Sequence, residues 1–388
     1  MPSLPATERI LLGPGPSMIP PRVTRAMGAP MLSHLDPDFV PLMDDVRARL
    51  QRLFRSDHDA FTIALSGTGT AGMEAAVANS VRDGTRAVVI VTGYFGDRLA
   101  QMCERYGGRV RRIEVDWGRS ADPQRLRDEL KKEGADIIGF VHAETSTGVR
   151  NPAEEIARVA REHGALTIAD MVTSLGGHPV EMGKWGIDIA YSCTQKCIGA
   201  PSGLAPIAVA GPVRARTFKC RSFYLDLNLL EEYWLNRKYH HTMSASLIYA
   251  LREALQMIDE EGLETRWARH ERHHRVLAAG LEAMGLSLLP PAAERLWTLN
   301  AVRVPDGIDE AAVRRMLLQM FNIEVGAGLG PLAGRIWRVG LMGASSTPQM
   351  VLLFLGALEA ALAAQGHSHG AGAGIAAATA ALVAPARA

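Results

Sequence analysis

Short apolar runs alternate with helix-period segments from about residue 60 to 211, and this alternation restricts the fold more than any other feature of the 388-residue chain. Amphipathic stretches such as Asp97–Tyr106 and Pro123–Lys132 separate the runs. Strands and helices that alternate at this spacing form a largely parallel sheet covered by helices on both faces. We therefore predict a large α/β domain with seven strands, namely Phe61–Ser66, Arg86–Thr92, Val110–Val115, Asp136–His142, Ala165–Asp170, Ile187–Ser192 and Ala205–Ala210.

A different pattern follows the long helical segments Ala245–Glu260 and Glu264–Met284. From residue 296 onward, single strands and helices are separated by a Gly-rich turn, which indicates a smaller α+β C-terminal domain. The tail lacks apolar periodicity and is rich in Gly and Ala, so it is expected to be disordered or weakly helical. The predicted division is an N-terminal arm over 1–20, a large domain over 21–261, a small domain over 262–366 and the tail over 367–388.

Composition excludes several classes of protein. The 42 Lys and Arg residues nearly balance the 41 Asp and Glu residues, so no net field recruits nucleic acid or an anionic membrane. No window approaches the ~20 apolar residues that span a bilayer, and no signal-peptide run opens the chain. The cysteines fit no zinc spacing. We expect a cytoplasmic protein that binds no nucleic acid, membrane or metal.

Lys196 is the first candidate for chemistry. It follows an apolar strand and lies in a loop of small residues without an acidic neighbour in sequence. Loss of hydration lowers the pKa of a lysine, and a neutral amine can attack an aldehyde to form an imine. A lysine that only caps the end of the strand would give the same local sequence. This segment by itself leaves both interpretations open.

Two further segments of the same predicted sheet complement Lys196. Asp170 ends an apolar strand at the edge where open α/β sheets bind ligands. A protonated pyridine nitrogen would neutralise a carboxylate buried there, although an N-capping Asp would look the same. Ser66–Asn79 reads as a strand, a Gly/Thr turn and a helix, which can bind a phosphate at the helix N-terminus. It lacks the nucleotide and dinucleotide fingerprints, so a single phosphate is expected. Pyridoxal 5'-phosphate (PLP) needs all three attachments.

The residues also match a known family. The segments SGTGTAGMEAA, GYFG, HAETSTGV, ADMVTSLGG, YSCTQKCIGAPSG, KYHHT and RVGLMG occur in this order. They resemble the class V aminotransferases of fold type I, and within them the alanine–glyoxylate and serine–glyoxylate aminotransferases. The similarity runs from LLGPGPS near residue 11 to about residue 364. It implies a fold type I PLP-dependent transferase that forms a homodimer with shared active sites.

The resemblance assigns roles to individual residues. Lys196 would form the Schiff base with PLP and then move a proton between substrate Cα and cofactor C4′, while Asp170 would pair with the pyridine nitrogen. Phe95 stands where relatives often have Trp, and Thr70 where some have His. The other implied cofactor contacts are Val172 on a ring face, Thr145 at the 3′-oxygen, Thr68, Gly69, Thr70 and Gln195 at the phosphate, and Tyr239 and Thr242 from the second subunit.

Arg338 is the expected substrate-binding residue, because it matches the arginine with which the family holds the substrate α-carboxylate. An arginine on an apolar strand is also costly to bury without an anion. A salt bridge to an acidic residue of the chain itself is the alternative. The segment from Arg269 to Arg275, with His270, His273 and His274, reads as a solvated basic helix face.

The expected reaction is a ping-pong transamination between alanine or serine and glyoxylate or pyruvate, with a Schiff base on Lys196. Alternatives within the lineage use pyridoxamine, aminoethylphosphonate or β-hydroxyaspartate-type donors. A PLP lyase or desulfurase would need a mobile catalytic cysteine, and Cys193 and Cys197 flank the lysine on its own loop. A non-catalytic PLP-fold regulator is opposed by the intact set of Lys196, Asp170 and Arg338.

Overall fold

The computed structural model describes residues 8–214, 220–367 and 370–384. Its central sheet has seven strands in the order β1-β7-β6-β5-β4-β2-β3. Only β7 runs antiparallel to its neighbours, so the predicted mostly parallel α/β sheet is confirmed. The strands are β1 Phe61–Ser66, β2 Arg86–Val91, β3 Arg109–Glu114, β4 Ile137–Val141, β5 Leu166–Asp170, β6 Ile189–Tyr191 and β7 Leu204–Val209.

Helices cover both faces of this sheet, which explains the uninterrupted apolar character of its central strands. Every residue of β4 is buried. The helices up to residue 261 are Pro21–Met27, Val40–Phe54, Gly69–Ala78, Tyr94–Arg105, Pro123–Lys132, Ala153–Glu162, Met182–Trp185, Gly211–Arg214, Leu227–Asn236 and Ala245–Glu261.

The carboxyl ends of three neighbouring strands lie side by side. In the register of the sheet, Asp170 of β5 lies opposite Val141 of β4 and opposite Tyr191 of β6. The β4–β5–β6 edge therefore brings the end of the Asp170 strand next to the loop that carries Lys196.

The C-terminal part has its own apolar core around a three-stranded antiparallel sheet. The sheet strands are Leu299–Arg303, Ile336–Gly340 and Gly326–Ala327. The helices are Leu263–Ala283, Glu310–Phe321, Pro348–Ala363 and Ala373–Val383, with 3-10 turns at Ala292–Glu294, Gly330–Leu332 and Gly343–Ser345. Two pairs of two-residue strands complete the fold, Ile10–Leu11 with Ile323–Glu324 and Ala143–Glu144 with Val149–Arg150.

The N-terminal segment joins the two parts of the molecule. Ile10–Leu11 pairs with Ile323–Glu324, and Leu12 accepts a backbone hydrogen bond from Gly340 at 2.7 Å. Farther along, Ser17 bonds to the loop of the large sheet that contains Lys196. The segment thus fastens the small sheet to the loop that carries the candidate catalytic lysine.

The tail was expected to be disordered or weakly helical, and its described part contains a packed helix. Ala373–Val383 is a helix that packs against Leu263–Ala283 and Pro348–Ala363. Glu359 accepts hydrogen bonds from the backbone N–H groups of Gly372 and Gly374 at 3.1 and 2.7 Å. Its buried residues are Gly374 and Ala378, and Leu382 packs partly buried against the same core. Because small residues make most of this contact, few large apolar residues reveal the helix in sequence. Residues 368–369 and 385–388 lie outside the described part.

The expected solvated face on Leu263–Ala283 is confirmed for Arg272 and Arg275, which are exposed, and is wrong for its three histidines. His270, His273 and His274 are buried, because the side of the helix that carries them packs against other parts of the chain. Their ring nitrogens contact the Arg266 carbonyl, the Ser346 hydroxyl and the Asn300 amide oxygen at 2.6–3.0 Å. None of the described helices is long and apolar enough to cross a membrane.

Candidate active site

A cavity of about 150 Å³ lies at the carboxyl edge of the central sheet. Nine of the residues predicted to contact the cofactor line it: Thr68, Gly69, Thr70, Phe95, Thr145, Asp170, Val172, Gln195 and Lys196. Five further lining residues had no assigned role: Met73, Arg98, Val141, Ala143 and Cys193. The structure therefore brings the predicted lysine, carboxylate and phosphate-binding turn into one space.

Lys196 is held from the N-terminal arm. Ser17 donates its hydroxyl to the Lys196 carbonyl at 2.7 Å and its backbone N–H to the Gln195 carbonyl at 2.9 Å. The Lys196 amine itself donates to the carbonyl of Pro14. Gly15 has a φ of +111°, and a Cβ there would lie 2.6 Å from the lysine Nζ. Only glycine fits this place beside the amine.

Burial sets the chemistry of that amine. Although Lys196 keeps part of its surface exposed, protein atoms surround its amine, and this desolvation is the largest effect lowering its pKa. The nearby Arg338 also lowers the pKa, whereas Asp170 acts against this. Lys196 therefore loses its proton more readily than an exposed lysine. Imine formation and proton transfer both require the neutral amine.

Asp170 is a buried carboxylate at the end of β5. It accepts hydrogen bonds from the backbone N–H of Val172 at 2.8 Å and from the Tyr191 hydroxyl at 2.9 Å. Burial raises its pKa to about 7, against the effect of these two hydrogen bonds. It forms no ion pair with any residue that the structure describes. A pyridinium nitrogen would supply the cation that this carboxylate lacks.

The other end of the cavity suits a phosphate. The helix Gly69–Ala78 begins after Thr68 without a side-chain cap, so its first N–H groups can bind an anion. Gln195 Oε1 is buried and has no hydrogen-bond partner in the described chain. A Cβ at Gly69 would lie 3.0 Å from Val172 and 3.3 Å from Cys193. The residues present therefore fit PLP at both ends.

Phe95 is positioned by a carboxylate that the sequence analysis missed. The backbone N–H groups of Phe95 and Gly96 point to Glu144 at 3.4 and 3.1 Å. Ser146 donates its hydroxyl to the same carboxylate at 2.6 Å. Glu144 is fully buried, and this burial raises its pKa. Glu144 therefore fixes the start of the helix Tyr94–Arg105, where Phe95 reaches the cavity.

Thr145 and Arg338 lie next to each other. The Thr145 hydroxyl is 2.5 Å from that of Thr173. Arg338 donates from Nε to the Ala327 carbonyl at 2.6 Å and from Nη1 to the Thr145 carbonyl at 3.4 Å. The guanidinium has no carboxylate partner among the described residues, although only 7% of Arg338 is exposed. Burial lowers its pKa to about 10, and Glu144 opposes this.

The cysteines do not support a sulfur-transferring site. Burial raises the pKa of Cys193 to about 12 and that of Cys197 to about 11. Both side chains are buried and stay protonated at neutral pH, whereas a sulfur-accepting nucleophile has to be a thiolate. The desulfurase alternative is therefore not favoured.

Tyr239 and Thr242 do not line the cavity of their own chain. Both are exposed, Tyr239 to 59%. Tyr239 lies near His34, with ring centroids 5.5 Å apart. Its neighbour His241 contacts Ser66, directly before the phosphate-binding turn, at 2.9 Å. Their place on the surface beside this turn is what a contribution to a second subunit requires, and that role stays a prediction.

Comparison with known proteins places this geometry in a family. The family model described as aminotransferase class-V matches residues 10–336. Ureidoglycine–glyoxylate aminotransferase from Bacillus subtilis has a TM-score of 0.95 at 39% identity, covering 98% of this chain and 100% of the other. Alanine–glyoxylate aminotransferase from Nostoc sp. has a TM-score of 0.90 at 46% identity, with 93% and 97% covered.

A third similar structure is pyridoxamine–pyruvate aminotransferase from Mesorhizobium loti, with a TM-score of 0.94 at 31% identity, covering 99% and 100% of the two chains. These likenesses extend over both parts of the fold. The chain belongs to the class V aminotransferases, the PLP-dependent enzymes of fold type I that exchange an amino group between amino and 2-oxo acids.

Proposed function

We propose that this aminotransferase takes its amino group from a small amino acid, alanine or serine, and transfers it to a small 2-oxo acid, glyoxylate or pyruvate. The carrying observation is the buried guanidinium of Arg338, which has no carboxylate partner in the described chain. Arg338 does not itself line the cavity, but it bonds to the backbone carbonyl of Thr145, which does. PLP, when bound, supplies the electron sink for bond breaking at the substrate Cα.

Arg338 is suited to hold the α-carboxylate that all these substrates share. Its Nε and Nη1 bond to backbone carbonyls, so the planar fork is oriented before a ligand arrives. A bidentate guanidinium–carboxylate pair would then offset the cost of burying the charge. The α-carboxylate, which every amino acid and 2-oxo acid carries, thereby orients the substrate. Arg338 does not contact the substrate side chain and so does not select between donors.

Lys196 is the group that moves protons. With PLP bound, the Lys196 amine would move a proton between substrate Cα and cofactor C4′, because burial favours the neutral base. Asp170 would neutralise the charge of the ring nitrogen. Tyr191 and the backbone N–H of Val172 keep this carboxylate oriented.

The N-terminal arm limits the room for a substrate side chain. It packs so tightly on the strand of Arg338 that a Cβ at Gly340 would lie 2.1 Å from the Gly13 carbonyl. A Cβ at Gly326 would lie 2.4 Å from Pro14. Since the same arm contacts the Lys196 amine, we expect a large substrate side chain to meet the arm. This supports a donor with a small side chain.

The test is a panel of amino donors against glyoxylate and against pyruvate, with product formation followed for each pair. Alanine or serine should give the highest kcat/KM, and valine, phenylalanine and glutamate should be poor donors. Ureidoglycine and pyridoxamine belong in the panel, since they are the donors in the names of two similar enzymes. A clear preference for either one, or for a dicarboxylic amino acid, would overturn the proposed donor.

We also propose a homodimer in which Tyr239 and Thr242 complete the phosphate site of the neighbouring subunit. The test mixes two inactive or impaired proteins, Lys196→Ala and Tyr239→Ala, under conditions that exchange subunits. If Tyr239 acts across the interface, a mixed dimer contains one site with both native residues and activity returns. If Tyr239 acts within its own chain, no such site forms, and the mixture stays as inactive as its components.

A further inference from the structure

The phosphate of PLP would bring negative charge to the cavity, and none of the residues predicted to bind it is a cation. A phosphate monoester carries about −1.5 to −2 charges at pH 7. The predicted phosphate contacts Thr68, Thr70 and Gln195 are all neutral. The cavity has three charged lining residues, Arg98, Asp170 and Lys196, and the last two are committed to the ring nitrogen and to the imine. Arg98 is the remaining cation.

The position of Arg98 matches this need. Its guanidinium donates from Nη1 to the Thr70 hydroxyl at 3.2 Å, in the first turn of the phosphate-binding helix Gly69–Ala78. Thr70 is the contact whose role was uncertain, because some relatives have His there. A hydrogen bond from Arg98 orients the hydroxyl and adds a positive charge at the same place.

The guanidinium is held in place by aromatic rings. Its central carbon lies 5.0 Å from the ring centroid of Phe95 and 5.2 Å from that of Tyr94. Such cation–π contacts restrict the planar group over the ring faces. No acidic residue of the described chain forms an ion pair with Arg98, and neighbouring Asp97 is bonded to Arg112 and Gln101 instead. Arg98 therefore keeps its charge available for an anion.

We infer that Arg98 is a phosphate-binding residue of the cofactor site, acting together with the Thr70 hydroxyl that it orients. The ring stack on Phe95 fixes the guanidinium, and the hydrogen bond to Thr70 links the helix Tyr94–Arg105 to the phosphate-binding turn. The inference concerns the phosphate alone and does not depend on which amino donor the enzyme uses.

The test compares PLP with pyridoxal, which lacks the phosphate, in titrations of the apoprotein. Arg98→Gln should weaken PLP binding by about tenfold to a hundredfold, the range of a lost charge-assisted hydrogen bond, and change pyridoxal binding by less than about twofold on the same basis. Arg105→Gln is the matched control, since Arg105 is an exposed arginine about 10 Å farther along the same helix. It should leave both affinities unchanged.

Equal weakening of PLP and pyridoxal by Arg98→Gln would show that Arg98 only supports Phe95, and unchanged binding of both would show that it has no role; either result overturns the inference. Thr70→Val, at an exposed position, should lower the PLP preference as well, and the two substitutions together should cost less than the product of their single effects. If the loss of PLP preference in the double variant equals the product of the two single losses, Arg98 and Thr70 act independently and their joint action is wrong. If Arg98→Gln fails to fold, Arg98→Met replaces it, because Met keeps a long unbranched side chain without the charge. An unchanged preference for PLP over pyridoxal then contradicts the inference.

Discussion

Replacing Asp170 by Asn should make the apoprotein more stable at alkaline pH while removing the partner of the ring nitrogen. Asp170 is buried, and its pKa is raised from 3.8 to about 7. The folded chain therefore binds this proton more tightly than the unfolded chain. Its contribution to stability is complete below pH 3.8 and is lost as the pH rises through about 7. Asn carries no charge in either state and avoids this loss.

The size of the effect follows from the shift. At 1.36 kcal/mol per pKa unit, burying the ionised carboxylate costs the apoprotein about 4 kcal/mol above pH 7. Between pH 5 and pH 8 the wild type should therefore lose about 3 kcal/mol relative to Asp170→Asn. For a chain of this length that corresponds to a difference in Tm that grows by about 4 °C.

The assay is thermal unfolding of both apoproteins at pH 5 and pH 8, with Asp306→Asn as a control that removes an exposed carboxylate. The control should show no growing difference from the wild type. Added PLP should raise the Tm of the wild type more than that of Asp170→Asn, because the ring nitrogen then pairs with the charge. A Tm difference that stays constant between the two pH values would refute the reasoning.

Three further changes test other parts of the structure. Arg338→Gln should raise KM for every donor about tenfold to a hundredfold with the cofactor still bound. Arg335→Gln is the control, at an exposed position just before the same strand, and should leave KM unchanged in steady-state kinetics. Glu144→Gln places an amide N–H against the N–H donors of Phe95 or Gly96 and should lower the free energy of unfolding by about 1–3 kcal/mol. We expect a lower Tm and weaker PLP binding, and an unchanged Tm and PLP affinity would contradict the positioning role of Glu144. Ala378→Asp buries a carboxylate in the tail helix, where Ala378 is 0% exposed, and should lower the Tm by several degrees (about 3 kcal/mol) relative to Ala376→Asp at an exposed position; equal Tm values would mean that the helix is not packed.

The central sheet could be predicted from the sequence because each of its strands is marked by residues that are adjacent in the chain. Each predicted strand agrees with the observed one to within two residues at either end, since a strand buried on both faces is a short apolar run bounded by polar or small residues. Lys196 and Asp170 stand at the ends of such runs, so strand prediction also placed them at one edge. The helices Val40–Phe54 and Leu227–Asn236 were not predicted.

The sequence by itself determined the α/β sheet, the lysine, the carboxylate and the phosphate-binding turn, because each depends on residues that are adjacent in the chain. Only the tertiary structure decided what surrounds them. Pro14 reaches an amine 182 residues away, Arg98 meets Thr70 across two helices, and the tail helix packs mainly through the small residues Gly374 and Ala378. Such contacts depend on how separate elements pack, and no local pattern of residue types encodes that packing.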